Sequence, residues 1–156
     1  MAVRSAGLLL HRRTAAGREV LIAHMGGPFW ARKDEDAWSI PKGEFEDGEQ
    51  ALAVALREFA EEIGSPPPGT PVELGEFRQP SGKRITAFAL EGDIDVSEVR
   101  SNEFEIEWPR GSGRMRSFPE IDRAEWMTPD LARTKLVKGQ IPVIDAFVRD
   151  FLGGGA

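Results

Sequence analysis

Four glutamates and one arginine crowd residues 49–62 of this chain: Glu49, Arg57, Glu58, Glu61 and Glu62. Leu52, Leu56, Phe59 and Ile63 recur there at helical spacing and predict a buried stripe, which leaves Glu58, Glu61 and Glu62 together on another face. Three carboxylates then project into one small volume. Like charges three and four residues apart destabilise a helix by about 0.2–0.5 kcal/mol per pair, so something must offset them. A hard cation would do so, because Mg²⁺ takes oxygen ligands in octahedral geometry, keeps several waters and is commonly held by one or two carboxylates together with substrate phosphates. Taken alone, the acidic run also fits a solvated helix face, the usual role of such runs.

The residues ahead of it favour a site. Asp47 followed three positions later by Gln50 matches a capping box and predicts a helix starting near Gly48. Upstream, Trp38, Ser39 and Ile40 predict a short strand, Gly43 allows a sharp turn with the backbone close to a ligand, and Lys42 offers a positive charge to phosphate. Gly64 supplies a C-terminal glycine, after which Pro66, Pro67 and Pro68 forbid continuation of the helix.

The order Gly43, five residues, Glu49, seven residues, Arg57, Glu58, Phe59, one residue, Glu61, Glu62, one residue, Gly64 resembles the signature of the Nudix hydrolases. Two places depart from it: the final hydrophobic position is Ser65, and Phe59 is bulkier than the aliphatic residue more usual there. The resemblance implies an α/β fold, the Nudix-type α/β/α sandwich with a mixed, curved sheet between helices. It also implies hydrolysis of a nucleoside diphosphate linked to another moiety, with Mg²⁺ or Mn²⁺ bound by the signature helix. By position, Glu58 and Glu62 would be the main metal ligands, Glu61 a further ligand or the general base, and the Gly43 carbonyl part of the coordination sphere. Arg57 would join Glu58 and Glu61 in the catalytic set, and both it and Glu49 would orient neighbouring carboxylates rather than do chemistry.

Such a set suits the reaction, because water attacking a pyrophosphate brings an anionic nucleophile toward an already anionic phosphorus. Metals neutralise phosphate oxygens and lower the pKa of bound water. A glutamate in hydrogen-bond reach of the water adds about 10²- to 10⁴-fold as general base. No nucleophilic serine or cysteine is required.

The expected substrate is a nucleotide such as a dinucleoside polyphosphate or nucleoside triphosphate. ADP-ribose or a nucleotide sugar is the alternative, as is a non-catalytic nucleotide-sensing module of the same fold. Trp38, Ser39, Ile40, Pro41, Lys42, Gly43 and Glu44 resemble the lead-in of dinucleoside-polyphosphate hydrolases, yet the chain has no tyrosine, which one group of those enzymes carries downstream. Pro80, fifteen positions after Ser65, falls near a proline of ADP-ribose-cleaving members.

Three further regions could contact substrate. In the loop Gly26 to Lys33, Phe29 or Trp30 could stack on a base while Arg32 or Lys33 meets phosphate; a packed aromatic anchor on a solvated loop is the other reading. Strict alternation puts Glu103, Glu105 and Glu107 on one strand face and Phe104, Ile106 and Trp108 on the other, so Glu103 or Glu105 is either an additional carboxylate of the site or part of a solvent face. The glycine-rich stretch with Arg110, Arg114 and Arg116 either closes over phosphates, with Arg114 as the named contact, or forms a surface loop.

At 156 residues and 17.2 kDa the chain fits one domain, expected over 1–152 with a frayed tail at 153–156. Zero cysteines exclude disulfides and thiolate metal sites. His11 and His24 are too few for a usual zinc site and are expected as ordinary side chains on or beside strands. The first residues show only a short apolar run, so neither a secretory signal nor a membrane span is expected, and the expected compartment is cytoplasmic. A net charge of -6 argues against a nucleic-acid polymer as partner, although metal and a few local cations let an acidic protein bind nucleotides. A monomer or a homodimer fits equally.

Strands are predicted over 3–11, 19–24, 38–40, 73–79, 84–91, 103–108 and 123–127. Thr128 and Pro129 start one late helix and Pro142 another, the latter with Val143, Ile144, Phe147, Val148, Phe151 and Leu152 on one stripe.

Overall fold

The computed structural model describes residues 3–67 and 69–152, so Pro68 and the tail expected at 153–156 lie outside it. Its centre is strand β1 (Arg4–Thr14), buried without a break from Ser5 to His11, as a strand covered on both faces must be. One edge of β1 pairs in parallel with β6 (Arg84–Glu91), which in turn pairs antiparallel with β5 (Val72–Arg78). The other edge is divided. Residues 11–14 pair with β2 (Gly17–Met25), while residues 4–7 pair with β4 (Lys42–Phe45). β2 also carries β3 (Trp38–Ser39) and β9 (Ile121–Met127). A separate hairpin is formed by β7 (Glu103–Glu107) and β8 (Met115–Pro119).

Helix α1 (Ala51–Ile63) covers one face of the sheet, with Val54, Ala55, Phe59 and Ile63 buried against Ala6, Leu8, Leu10 and Leu21. Helices α2 (Pro129–Lys135) and α3 (Ile141–Phe151) cover the other, where Val143, Ile144 and Phe147 meet Leu9, Ile22, Trp38 and Ile85. The expected α/β/α layering is the one observed. Thr128 caps α2 by accepting from the Leu131 N–H at 3.2 Å, and Pro142 occupies the first turn of α3.

Three expectations need correction. α1 begins at Ala51 rather than near Gly48, and no side chain caps it, because the Asp47 carboxylate pairs with Arg4 across the sheet instead. The residues ahead of the helix form a turn of their own: Glu49 N–H donates to the Glu46 carbonyl at 3.1 Å, and Glu46 N–H donates to the Glu49 carboxylate at 3.0 Å. The apolar stripe is also rotated, leaving Leu52 exposed and Leu56 half-buried, while Glu58 and Glu62 turn toward β4. Finally, β4 and β8 are strands where a tight turn and a glycine-rich loop were expected. Neither alternates apolar and polar residues, so only their partners, β1 and β7, define them.

Candidate active site

The carboxylates assemble where β1 divides. Gly43 on β4 faces α1, and a Cβ built there would collide with the Glu58 carboxyl, so only glycine lets that carboxylate lie against the β4 backbone. One turn along, Glu62 Oε2 accepts from the Lys42 N–H at 2.8 Å. Burial pushes the Glu62 carboxyl up to about 8, against the downward pull of that bond and of the Lys42 charge. Glu58 is also held above the usual carboxylate range, first by burial and then by Glu61. Arg57 stands beside them, 3.2 Å from Glu49 and 3.7 Å from Glu58. Glu49, fixed by the Glu46 N–H and by Arg57, sits below the usual range.

A further carboxylate comes from the base of the β7–β8 hairpin. The end of α1 docks on the segment before the hairpin: Arg100 N–H donates to the Ile63 carbonyl and Asn102 N–H to the Glu61 carbonyl, both at 2.9 Å. Gly64 permits this by its left-handed φ of 98° and by having no Cβ, which would come 2.6 Å from the Arg100 carbonyl oxygen. Asn102 in turn accepts from the Glu120 N–H at 2.8 Å, closing the base of the hairpin. Glu120 thereby enters the field of the cluster, its own carboxyl raised by burial and then by Glu61. Glu103 and Glu105 stand on the exposed outer face of β7, and the largest charge effects on Glu58 come from Glu61, Arg57 and Glu120. No residue pattern around Glu120 marks it; only the pairing of residues 102 and 120 brings it to the helix.

The loop after β2 starts at the same point, since Gly26 N–H donates to the Glu120 carbonyl at 2.8 Å. Further along it is tied by His24, a fully buried imidazole whose Nδ1 lies 2.8 Å from Asp122 Oδ1 and whose Nε2 lies 2.6 Å from the Lys33 carbonyl. Trp30 is half-buried against the core with the Lys33 ammonium 5.1 Å from its ring centre, while Arg32 is exposed. Arg114 is exposed at the tip of the β7–β8 hairpin, where its carbonyl accepts from the Trp108 N–H at 2.9 Å. A cavity of about 900 Å³ lies on the far side of Glu49, lined by Arg4, Phe45, Asp47, Glu49 and Arg84 among others but by none of Glu58, Glu61 and Glu62.

Hard oxygen donors, raised carboxyl pKa values and the glycine cradle under Glu58 all fit a divalent cation. Among the described residues no three acidic or histidine side chains already converge into a cage.

A family model, the NUDIX domain, matches residues 1–147. Among solved structures the fold is similar to a Caenorhabditis elegans Ap4A hydrolase in a binary complex, with TM-score 0.66 and 18% identity over 96% of this chain and 98% of that one. It is also similar to a MutT protein from Methanosarcina mazei, with TM-score 0.60 and 17% identity over 96% and 94% of the two chains. The NUDIX domain of Shewanella oneidensis NrtR, complexed with ADP ribose, matches with TM-score 0.57 and 15% identity over 94% and 86%. No curated protein matches the chain. With the family model spanning nearly all of the sequence, the chain belongs to the NUDIX domain family and is a Nudix hydrolase, an enzyme class that hydrolyses pyrophosphate linkages and generally uses divalent metal.

Proposed function

We propose that this enzyme cleaves a nucleotide carrying a pyrophosphate linkage, a dinucleoside polyphosphate or a nucleoside triphosphate, with Mg²⁺ or Mn²⁺ as its metal. The observation that carries the reading is the placement of Glu58 against Gly43 and of the half-buried Glu62 on the Lys42 N–H, side by side on one helix. Two carboxylates with raised pKa values at such close quarters favour a site that a cation completes.

Glu58, Glu62 and the Gly43 carbonyl would hold the metal, which when bound neutralises phosphate oxygens and lowers the pKa of water. Glu61, facing Glu58, takes the proton from the attacking water or adds a ligand, and Glu120 across from it supplies a further carboxylate. Arg57 and Glu49 form the brace that orients Glu58. Lys42 turns its backbone to Glu62 and leaves its ammonium available to phosphate.

The test is product identification by chromatography. Wild-type protein is incubated with Mg²⁺ and dinucleoside polyphosphates, nucleoside triphosphates, nucleotide sugars and ADP-ribose. Cleavage within the phosphate chain of the first or second class is expected. Turnover confined to ADP-ribose or nucleotide sugars would replace the substrate assignment, and no cleavage of any compound by folded, metal-binding protein would overturn the reading.

A further inference from the structure

The β7–β8 hairpin carries a surface that hydrolysis at the carboxylates does not use. Directly opposed residues of an antiparallel pair share a face. The register opposes Phe104 to Phe118 and Ile106 to Arg116, and one step on the Trp108 N–H donates to the Arg114 carbonyl at 2.9 Å. One face is therefore aromatic and cationic, with the glutamates on the other. The loop after β2 covers its base, where a Cβ on Gly27 would come 2.8 Å from the Phe104 ring. Higher up the face is open. Phe29, 44% exposed, meets Trp108 edge-on with ring centres 5.5 Å apart, and the Arg110 guanidinium lies 5.7 Å from the Phe29 centre.

The three arginines of this face lack acidic partners in an acidic protein, with Arg116 lying 5.5 Å from the Phe118 ring centre as Arg110 lies by Phe29. The chain carries a net charge of -6, yet among the described residues no carboxylate forms an ion pair with Arg110, Arg114 or Arg116. The tip that bears Arg110 and Arg114 is held in place by its own strand, since the Glu107 carboxylate accepts from the Gly111 N–H at 2.7 Å and the Gly113 N–H at 3.2 Å. The base of the same hairpin rests on the carboxylate cluster through Asn102 and Glu120. From Glu103 to Trp108 is five strand steps, about 17 Å at about 3.3 Å per residue.

We propose that this face is the specificity platform for a second aromatic base, carried at the far end of a polyphosphate chain whose cleaved linkage lies at Glu58 and Glu62. The base stacks on the Trp108 and Phe29 rings, and Arg110, Arg114 and Arg116 take the phosphates on the way, in the bidentate geometry that guanidinium and phosphate share. The proposal rests on the pyrophosphohydrolase reading and narrows it to substrates with a base at each end. A nucleic-acid polymer fits less well, because this short platform offers room for few bases and the glutamates on the opposite face repel a polyanion.

Steady-state kinetics in Mg²⁺ with diadenosine tetraphosphate and with ATP, which lacks the second base, test it. In Trp108→Ala and in the double variant Arg110→Ala/Arg114→Ala, KM for the dinucleotide should rise at least about tenfold, with kcat and both constants for ATP changed less than about twofold. Trp108→Phe should restore the dinucleotide KM. The arginine pair is exposed, so that variant reports even where Trp108→Ala disturbs folding. Equal losses on both substrates, no loss on either, or a wild-type enzyme that cleaves ATP but not the dinucleotide would overturn the platform. Wild-type protein that cleaves neither contradicts the hydrolytic reading instead. Tryptophan fluorescence then decides separately: quenching by diadenosine tetraphosphate that weakens in Trp108→Phe supports the platform, and unchanged quenching overturns it.

Discussion

Glycine at position 43 and glutamate at position 58 are one device, because the carboxylate of the second occupies the space a side chain on the first would take. Gly43→Ala therefore displaces Glu58 from the β4 backbone while leaving the β1–β4 pairing possible. We expect a loss of at least about 100-fold in kcat, the scale of a misplaced catalytic group, with little change in melting temperature. Kinetics and a thermal melt on the same preparation check it, and an active alanine variant would remove Gly43 from the site. Fixed spacing made this pair legible in the sequence, together with Glu61, Glu62 and Arg57. Glu120 was not legible, since a single glutamate between Pro119 and Ile121 has no periodic neighbour, unlike the alternating Glu103 and Glu105. Its position depends on a backbone bond between residues eighteen apart, which no local pattern encodes.

Elements positioned by their own residues were legible, and those defined by a partner were not. Thr128 and Pro129 announce α2, and the apolar stripe of Val143, Ile144 and Phe147 announces the packing of α3. α1 was recognisable as a helix, but its start and its buried face were set by Arg4 drawing off Asp47 and by β4 drawing in Glu58 and Glu62. The contact between β1 and α3 holds a feature with a measurable consequence. His11 is buried between Phe147 and Phe151, with ring centres 4.8 and 4.9 Å away, and its Nε2 has no hydrogen-bond partner. Burial, and then the Arg18 charge, lower its pKa from 6.5 to about 4, against a smaller upward effect of Glu91. Between those two values the unfolded chain binds a proton that the folded protein refuses. The stability from neutral burial is thus complete above pH 6.5 and is lost as pH falls toward 4. At about 1.4 kcal/mol per pKa unit the loss approaches about 3 kcal/mol. Urea unfolding across this range should show a steeper decline in wild-type protein than in His11→Leu; parallel curves would contradict the assignment.

The molecule as a whole places its chemistry where the central strand changes partners. β1 pairs with β2 at one end and β4 at the other, and the site forms beside β4, where α1 and the base of the hairpin meet. On the proposed reading, Lys42, Arg57 and a bound cation would overcome the acidic net charge locally. Among the described residues no helix is long and apolar enough to cross a membrane. The central claim is that the carboxylates of α1 make hydrolysis metal-dependent, and the most direct measurement is the initial rate of nucleotide hydrolysis against Mg²⁺ concentration for wild-type and Glu62→Gln protein. Wild-type activity should vanish in EDTA and rise to saturation with Mg²⁺, while folded Glu62→Gln should keep less than about 1% of it at every concentration. Undiminished turnover in EDTA, or a Glu62→Gln rate close to wild type, would contradict it.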